Sequence, residues 1–137
     1  MHHLSIALNE YGIKSVAGIF SNPEVLKYFR EIGHAWVKND DIAWCAAFAN
    51  WCLMKAGKQH TGKLNARSFL SVGVVTNKPE VGDIVVLWRI AKEGPYGHVG
   101  FFIKEYRGSI YILGGNQSEQ VNIMPFSKQQ LLGYRHV

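Results

Sequence analysis

The sequence predicts an α+β domain in which N-terminal helices pack on an antiparallel β-sheet. Helical spacing of apolar residues dominates the chain as far as Gly57, whereas β-rich segments dominate after Gly82. Short glycine-containing connections between consecutive β-rich segments favour hairpins and therefore antiparallel pairing. The chain has 137 residues, a size that one hydrophobic core can serve. We therefore predict a single domain over residues 1–137.

The helices of the first half are predicted from capping residues and apolar spacing. A short helical segment covers Leu4–Tyr11, and a second helix follows the Ser-x-x-Glu pattern at Ser21–Glu24 and ends near Ile32. The third is an Ala-rich apolar run, Ile42–Gly57, with Asp40 and Asp41 before it as helix-start residues. Because this run is apolar almost all round, we expect a buried central helix.

The second half is predicted to hold the sheet. Residues 66–72 and 127–131 read as short helical segments, and Gly73–Val81 reads as a connector that contains Pro79. Arg107-Gly108 reads as a tight hairpin turn. The predicted strands are residues 84–88, 98–106, 110–113, 120–124 and 134–136.

Composition and charge restrict the partners of the protein. The formal net charge is +5 and the sequence pI is near 9.3, which favours an anionic partner. The basic residues are scattered and not interleaved with aromatic residues, so nucleic acid is not the expected partner. No apolar run approaches the roughly 18 to 20 residues that a membrane-spanning helix needs, and Met1–Leu4 has no features of a secretory signal. Synthesis in the cytoplasm, without membrane insertion, is expected.

Two cysteines lie in the predicted central helix and have different surroundings. Cys45 and Cys52 are seven residues apart, about 10 Å along a helix at 1.5 Å per residue, which is too far for a disulfide. Cys45 lies in the first turn, where the helix dipole and unpaired amides stabilise a thiolate and could hold an oxyanion. Cys45 is therefore the candidate nucleophile, and we expect Cys52 to be core packing.

His98 is the histidine best placed to act with that thiol. It lies between Gly97 and Gly100 near the start of a predicted strand, and its small neighbours leave room for a substrate. Counting back from the hairpin turn sets His98 opposite Asn116 or Gln117, depending on the length of the loop. Either side-chain amide could orient the imidazole.

Further residues are candidates for the same site. Trp44, Gly97 and Ser68 are candidate lining residues of a cleft, with packing as the alternative role of Ser68. The histidines lack the close pair spacing of zinc hydrolases, so we expect neither a metal nor another cofactor.

Four ordered sequence blocks resemble the CHAP and NlpC superfamily of papain-like cell-wall hydrolases. The likeness runs from about Asn22 to Tyr134, and Ala66-Arg67-Ser68 adds to it. Each block alone is weak, but their order makes the resemblance specific. The blocks are Trp44-Cys45-Ala46-Ala47-Phe48, Gly82-Asp83-Ile84-Val85-Val86, Gly97-His98-Val99-Gly100-Phe101 and Leu113-Gly114-Gly115-Asn116-Gln117.

This resemblance implies a papain-like fold, a site and a substrate class. It implies a nucleophile at Cys45, a general base at His98 and an orienting residue at Asn116, with Gln117 as the alternative. The implied substrates are amide bonds of peptidoglycan, either between muramic acid and L-alanine or within the stem peptide or cross-bridge. The thiol mechanism that it implies uses no cofactor.

The resemblance leaves alternatives and partners open. A catalytically silent wall-binding module of the same fold, or a cytoplasmic amidase acting on a small amide, would share these blocks. A bacteriolytic enzyme such as a phage endolysin, a secreted effector or a housekeeping hydrolase would act at the cell wall after release or non-classical export. Peptidoglycan or a muropeptide is then the substrate, an inhibitor or immunity protein is a candidate partner, and we expect a monomer.

Overall fold

The structure, a computed structural model, describes residues 2–16, 21–39 and 42–137. Three α-helices, α1 (His2–Asn9), α2 (Pro23–Glu31) and α3 (Cys45–Lys55), precede the β-strands, and a 3-10 helix, Ala66–Ser71, follows α3. A second 3-10 helix, Lys128–Gln130, lies between the last two strands. The strands are β1 (Val74–Thr76), β2 (Ile84–Trp88), β3 (Gly97–Tyr106), β4 (Ser109–Gln117), β5 (Gln120–Ser127) and β6 (Leu131–His136).

Helix α3 is the centre of the helical layer, as its composition predicts. All of its residues from Cys45 to Leu53 are buried. It contacts α1 and α2 on one side and strands β3 and β4 on the other. It begins at Cys45, later than the predicted Ile42, and the prediction for Asp40 and Asp41 lies outside the described residues. Cys45 is therefore the first helical residue and faces the sheet layer.

Helix α2 is capped by a residue next to the predicted one. The side chain of Asn22 accepts a hydrogen bond from the backbone N–H of Glu24 at 2.9 Å, and Pro23 occupies the first turn. Asparagine is as good an N-cap as serine, because its side-chain oxygen satisfies the same unpaired amide. The helix thus begins one residue later than a cap at Ser21 would give.

The sheet has six antiparallel strands in the order β1-β6-β2-β3-β4-β5. Helices first and an antiparallel sheet after confirm the predicted α+β class. Strand β1 was predicted as part of a connector, because it has only three residues and lies among glycine and proline. Val74 and Val75 on this edge strand are exposed. Because neither residue packs in the core, the sequence has no alternation of apolar and polar residues that would indicate a strand here.

Two β-bulges set how β3, β4 and β5 meet. In β3, Phe102 pairs with Ile112 and Lys104 pairs with Tyr111, so one extra residue lies between them. In β4, Gly114 pairs with Asn122 and Gln117 pairs with Gln120, which again leaves one extra residue. Bulges bend a strand and redirect its side chains. Both lie between the β3–β4 turn and the strand ends that carry His98 and Gln117.

The turn and membrane predictions have clear structural counterparts. Arg107 and Gly108 form the two-residue turn between β3 and β4, with φ of 50° and 78°. Both residues have the positive φ that matches the twist of a hairpin. Among the described residues, none of the helices is long and apolar enough to cross a bilayer.

Candidate active site

Cys45 lies at the N-terminus of helix α3, where backbone amides have no helical acceptor. Trp44 is the N-cap residue but makes no side-chain capping bond, and the first helical hydrogen bond runs from Phe48 N–H to Trp44 O. The amides at the start of a helix are the ones left for another acceptor. The backbone amides of Ala46 and of Val99, on the adjacent strand β3, help to lower the pKa of the Cys45 thiol.

Cys45 and His98 interact directly and shift each other's protonation. Burial alone raises the pKa of the Cys45 thiol, but the charge and hydrogen bond of His98 and the two amides outweigh burial, so the pKa lies below its ordinary value. Burial likewise lowers the pKa of His98, but the Cys45 thiolate and the hydrogen bond that His98 donates to Gln117 raise this pKa above its ordinary value. Both shifts favour a thiolate–imidazolium pair.

The side chain that orients His98 is Gln117, not Asn116. His98 lies on β3 opposite Leu87 of β2, and its Nε2 is 2.9 Å from Oε1 of Gln117. Asn116, our preferred third residue, makes no hydrogen bond to His98. It lies in the β4 bulge with φ of 58°, and this left-handed residue breaks the regular alternation of side chains. Asn116 is nevertheless part of the cleft wall.

The Gln117 amide is fixed by its own hydrogen bonds. Its Nε2 donates to Ile112 O at 3.0 Å, Asn122 O at 2.9 Å and Asn122 Oδ1 at 3.0 Å. Asn122 in turn donates to Gln117 O at 3.1 Å. The NH₂ group is committed to these acceptors, so the carbonyl oxygen faces His98. Gln117 is 2% exposed and Asn122 is 9% exposed, so solvent does not compete.

The two glycines before Asn116 make room for this arrangement. A Cβ atom at Gly114 would collide with Oε1 of Gln117, the atom that receives the His98 hydrogen bond. A Cβ at Gly115 would lie 2.8 Å from Phe48 Cβ and 2.8 Å from the Trp44 ring. Gly115 therefore lets β4 approach helix α3 closely, which brings the orienting amide and the nucleophile to one place.

A cleft of about 300 Å³ opens at these residues. This is the lower end of the size range of small-molecule sites. The ring of Phe126 stacks on the His98 imidazole, with ring centres 4.9 Å apart, and covers it from one side. The cleft is lined by Cys45, Leu87, Trp88, Arg89, His98, Asn116, Gln117, Ser118, Met124, Phe126 and Gln130.

Comparison with known proteins decides the family. The family model described as "CHAP domain" matches residues 37–116, more than half of the chain and the segment that includes Cys45, His98 and Asn116.

The chain belongs to the CHAP domain family.

A solved structure supports the fold of this CHAP domain. It is a protein similar to a lipoprotein of the NLP/P60 family from Staphylococcus aureus subsp. aureus Mu50, with a TM-score of 0.58 and 18% sequence identity. The alignment covers 99% of this chain and 40% of that chain. No curated protein matches the sequence. The sequence resemblance to the CHAP and NlpC superfamily and the papain-like fold are confirmed.

Three residues that we expected to line the cleft do not line it. Trp44 is fully buried and stacks on Tyr28, with ring centres 5.9 Å apart, because it closes the core behind Cys45. Gly97 is small because a Cβ there would lie 2.6 Å from Leu87 O in the neighbouring strand. Ser68 bonds to Thr61 Oγ1 at 2.9 Å and Asn65 O at 2.8 Å.

The glycine on the far side of His98 has a packing role as well. A Cβ at Gly100 would collide with the side chain of Ile112. The glycines flanking His98 are therefore required by the close packing of the sheet, and the room for a substrate comes from elsewhere in the cleft wall.

Cys52 has none of the surroundings that activate Cys45. It is fully buried, and burial raises the pKa of its thiol well above the ordinary value. Both cysteines are free thiols. The contrast between them matches the expectation from their positions in one helix.

Sequence reasoning missed several residues of the CHAP domain site. Asn122 holds the Gln117 amide, and Phe126 covers His98, but both come from β5, whose register depends on the β4 bulge. Arg89 follows β2 and lines the cleft. The signal for it in the sequence is its position directly after the predicted strand 84–88.

Among the described residues, one group of side chains of the kinds that bind metals occurs, at the end of β2 that lies away from the cleft. Atoms of Glu80, Asp83 and His136 lie within 4.8 Å of one another. His136 Nδ1 is 2.7 Å from Asp83 Oδ1, and Glu80 N–H donates to Asp83 Oδ2 at 2.8 Å. These hydrogen bonds join the start of β2 to the end of β6, and this structural role explains why the three side chains lie together. A metal-free mechanism remains a prediction.

Proposed function

We propose that this CHAP domain hydrolyses amide bonds of peptidoglycan by a thiol mechanism. The observation that carries the proposal is the Cys45–His98–Gln117 arrangement at the cleft. A thiol with a lowered pKa at a helix N-terminus and an imidazole with a fixed orientation are the parts that acyl transfer needs. Family membership supplies the substrate class, because the CHAP and NlpC resemblance implies cell-wall amides.

In the proposed reaction each residue has one role. The Cys45 thiolate attacks the carbonyl carbon, and amides at the start of α3 stabilise the oxyanion. His98 gives its proton to the leaving amine, and the C–N bond breaks to leave a thioester on Cys45. Water, deprotonated by His98, then attacks the thioester, which releases the acid and restores the thiol. Gln117 holds the ring so that Nδ1 remains free for these transfers.

Charge and cleft size agree with a wall substrate. The net charge of +5 attracts the protein to an anionic cell envelope. The cleft of about 300 Å³ suits a short peptide segment better than a folded protein. We propose that the protein acts as a monomer at the cell wall.

Digestion of purified peptidoglycan tests the proposal. Wild-type protein should reduce the turbidity of a sacculus suspension and release new amino groups, whereas Cys45→Ala should bind sacculi and release nothing. Cys52→Ala is the matched control, and it should retain activity when folded. Pelleting of the wild type with sacculi without release would indicate a silent binding module. Turnover of small amides alone would indicate a cytoplasmic amidase.

The same digest identifies the bond. Mass spectrometry of fragments from defined muropeptides should show one of two results. Either the products are a glycan fragment whose N-acetylmuramic acid has a free lactyl carboxylate and a peptide with an L-alanine N-terminus, or cleavage lies within the stem or cross-bridge. The first result assigns an N-acetylmuramoyl-L-alanine amidase and the second an endopeptidase. Neither product would count against the proposed reaction.

A further inference from the structure

Arg89 contributes a positive charge to the wall of the cleft. It follows the last residue of β2, is exposed, and lines the same cleft as Cys45 and His98. Its charge reaches His98, where it opposes protonation of the imidazole. A guanidinium group is charged at every physiological pH and presents a planar set of donors that fits a carboxylate.

This charge has no counterion among the described residues. The ion pairs of the described chain use other cations, namely Lys27, Arg30, Lys55, Lys128 and His136. Among the residues that line the cleft, none is Asp or Glu, and Arg89 is the one Lys or Arg. The cleft can therefore pair Arg89 only with a group that the substrate brings.

The backbone at Arg89 is held in place. Arg89 N–H donates to Tyr96 O at 3.1 Å, and Ala91 N–H donates to Arg89 O at 2.8 Å across Ile90, which has a φ of 70°. The Arg67 guanidinium bonds to the carbonyl oxygens of Ala91, Lys92 and Tyr96 at 2.9, 2.9 and 3.0 Å. A fixed backbone reduces the conformational entropy that Arg89 loses when it binds a ligand.

We propose that Arg89 binds a free carboxylate of the substrate peptide close to the scissile amide. The inference rests on the proposed function and narrows its substrate class to stem peptides that carry a carboxylate, rather than a carboxamide, next to the cleaved bond. The anionic group belongs to the peptide itself and not to a separate wall polymer, because Arg89 shares a small cleft with the nucleophile.

Two muropeptides that differ at one group test the inference. One carries a free α-carboxylate on its second stem residue, and the other carries the carboxamide at that position. Wild type should hydrolyse the carboxylate form with a kcat/KM about 10 to 100 times higher, expressed mainly in KM, which is the scale of a charge-assisted hydrogen bond. Arg89→Gln should lose this preference, and Arg89→Lys should keep part of it.

The matched control is Arg107→Gln in the distant β3–β4 turn. It removes the same charge from the molecule, so it reproduces any loss of long-range attraction, and it should retain the wild-type preference. Arg89→Gln should lose much more activity on the carboxylate form than on the carboxamide form, since the missing interaction does not exist in the latter.

Each outcome separates the inference from the proposed function. Cleavage of both muropeptides by wild type with equal kcat/KM would overturn the role of Arg89 and leave the hydrolase intact. An equal loss on both substrates in Arg89→Gln would also overturn it, since that pattern indicates a structural role. Cleavage of neither muropeptide, nor of whole sacculi, would overturn the proposed function itself.

Discussion

The side-chain amide of Gln117 determines which nitrogen of His98 can exchange a proton with Cys45. If the amide were flipped, its carbonyl oxygen would face Ile112 O and both oxygens of Asn122, which lie 2.9 to 3.0 Å from the present nitrogen. That repulsion fixes the oxygen toward Nε2 of His98, so this nitrogen carries a hydrogen in the neutral and the charged ring. Nδ1 is therefore the nitrogen left for the thiol.

Replacing the two neighbouring amides should separate their roles. Gln117→Ala removes the hydrogen bond that orients His98, and kcat/KM should fall about 10- to 100-fold, the scale of one buried hydrogen bond to a charged group. Asn116→Ala removes a cleft-wall side chain with no bond to His98 and should change kcat less than about threefold. Steady-state kinetics with one muropeptide measures both. A larger kcat loss in Asn116→Ala than in Gln117→Ala would support Asn116 as the orienting residue, as the family resemblance implies.

The thiol of Cys45 should react at a pH at which ordinary thiols do not. The ordinary pKa of a cysteine thiol is about 8.5. Because the pKa of Cys45 is lowered, its thiolate remains populated at pH values below this. Iodoacetamide modification of Cys45, followed by mass spectrometry as a function of pH, should have its midpoint below that value. Cys52, with its raised pKa and complete burial, is the internal comparison. Similar rates at the two thiols at pH 7 would contradict an activated Cys45.

At the scale of elements, the site depends on how strand β4 is bent. Helix α3 and the β3–β4 turn followed from local pattern: a run of apolar residues, and Arg107-Gly108 between β-rich segments. A two-residue turn with regular pairing would set His98 opposite Gln117, but the bulge in β3 shifts the register and the bulge in β4 redirects Asn116.

No glycine or proline adjoins Ile103 to mark the β3 bulge, and Gly114-Gly115-Asn116 permits a bulge in β4 without fixing its position. The bulges are stabilised by contacts distant in sequence, such as the packing of Gly115 on Trp44 and Phe48. The sequence could therefore predict most of the helices and strands and the two site residues Cys45 and His98. For the residue that orients His98, it could leave only two candidates. The choice between Asn116 and Gln117 needed the tertiary packing, and so did Asn122 and Phe126 of β5.

The β2–β3 connection is held by one side chain of the first 3-10 helix. Arg67→Ala removes three hydrogen bonds to carbonyl groups of that loop and should lower the free energy of unfolding by about 1 to 3 kcal/mol. Arg67→Lys should recover only part of this, because one ammonium cannot span three carbonyls. Hydrogen exchange of the amides of residues 91–96 should speed up in both variants. Unchanged exchange rates in these residues would show that the loop keeps its conformation without Arg67.

At the scale of the whole molecule, His3 joins helix α1 to the start of β2 and to the loop after α3. Its Nε2 is 2.6 Å from Gly82 O, its Nδ1 is 3.0 Å from Lys58 Nζ, and its ring packs on Phe101 at 5.0 Å. Gly82 O can only accept and the Lys58 ammonium can only donate, so both bonds form with the neutral imidazole whose hydrogen is on Nε2. The imidazole is 2% exposed, and a second proton would meet the lysine charge.

Because of this contact, we expect the protein to become less stable in mild acid. Burial, with the Lys58 charge, lowers the pKa of His3 to about 4, below the ordinary value of about 6.5. Between these two values the unfolded chain binds a proton that the folded protein excludes, so the free energy of unfolding falls as the pH falls from about 6.5 to about 4.

The glutamine of His3→Gln can still donate to Gly82 O and accept from Lys58, but it does not titrate. Its urea midpoint should therefore change less across this window than that of the wild type, while His2→Gln, at an exposed neighbouring position, should follow the wild-type slope because both retain His3. Parallel slopes for the wild type and His3→Gln would mean that His3 is already protonated in the folded protein, and that α1 is held to the sheet by packing rather than by these two hydrogen bonds.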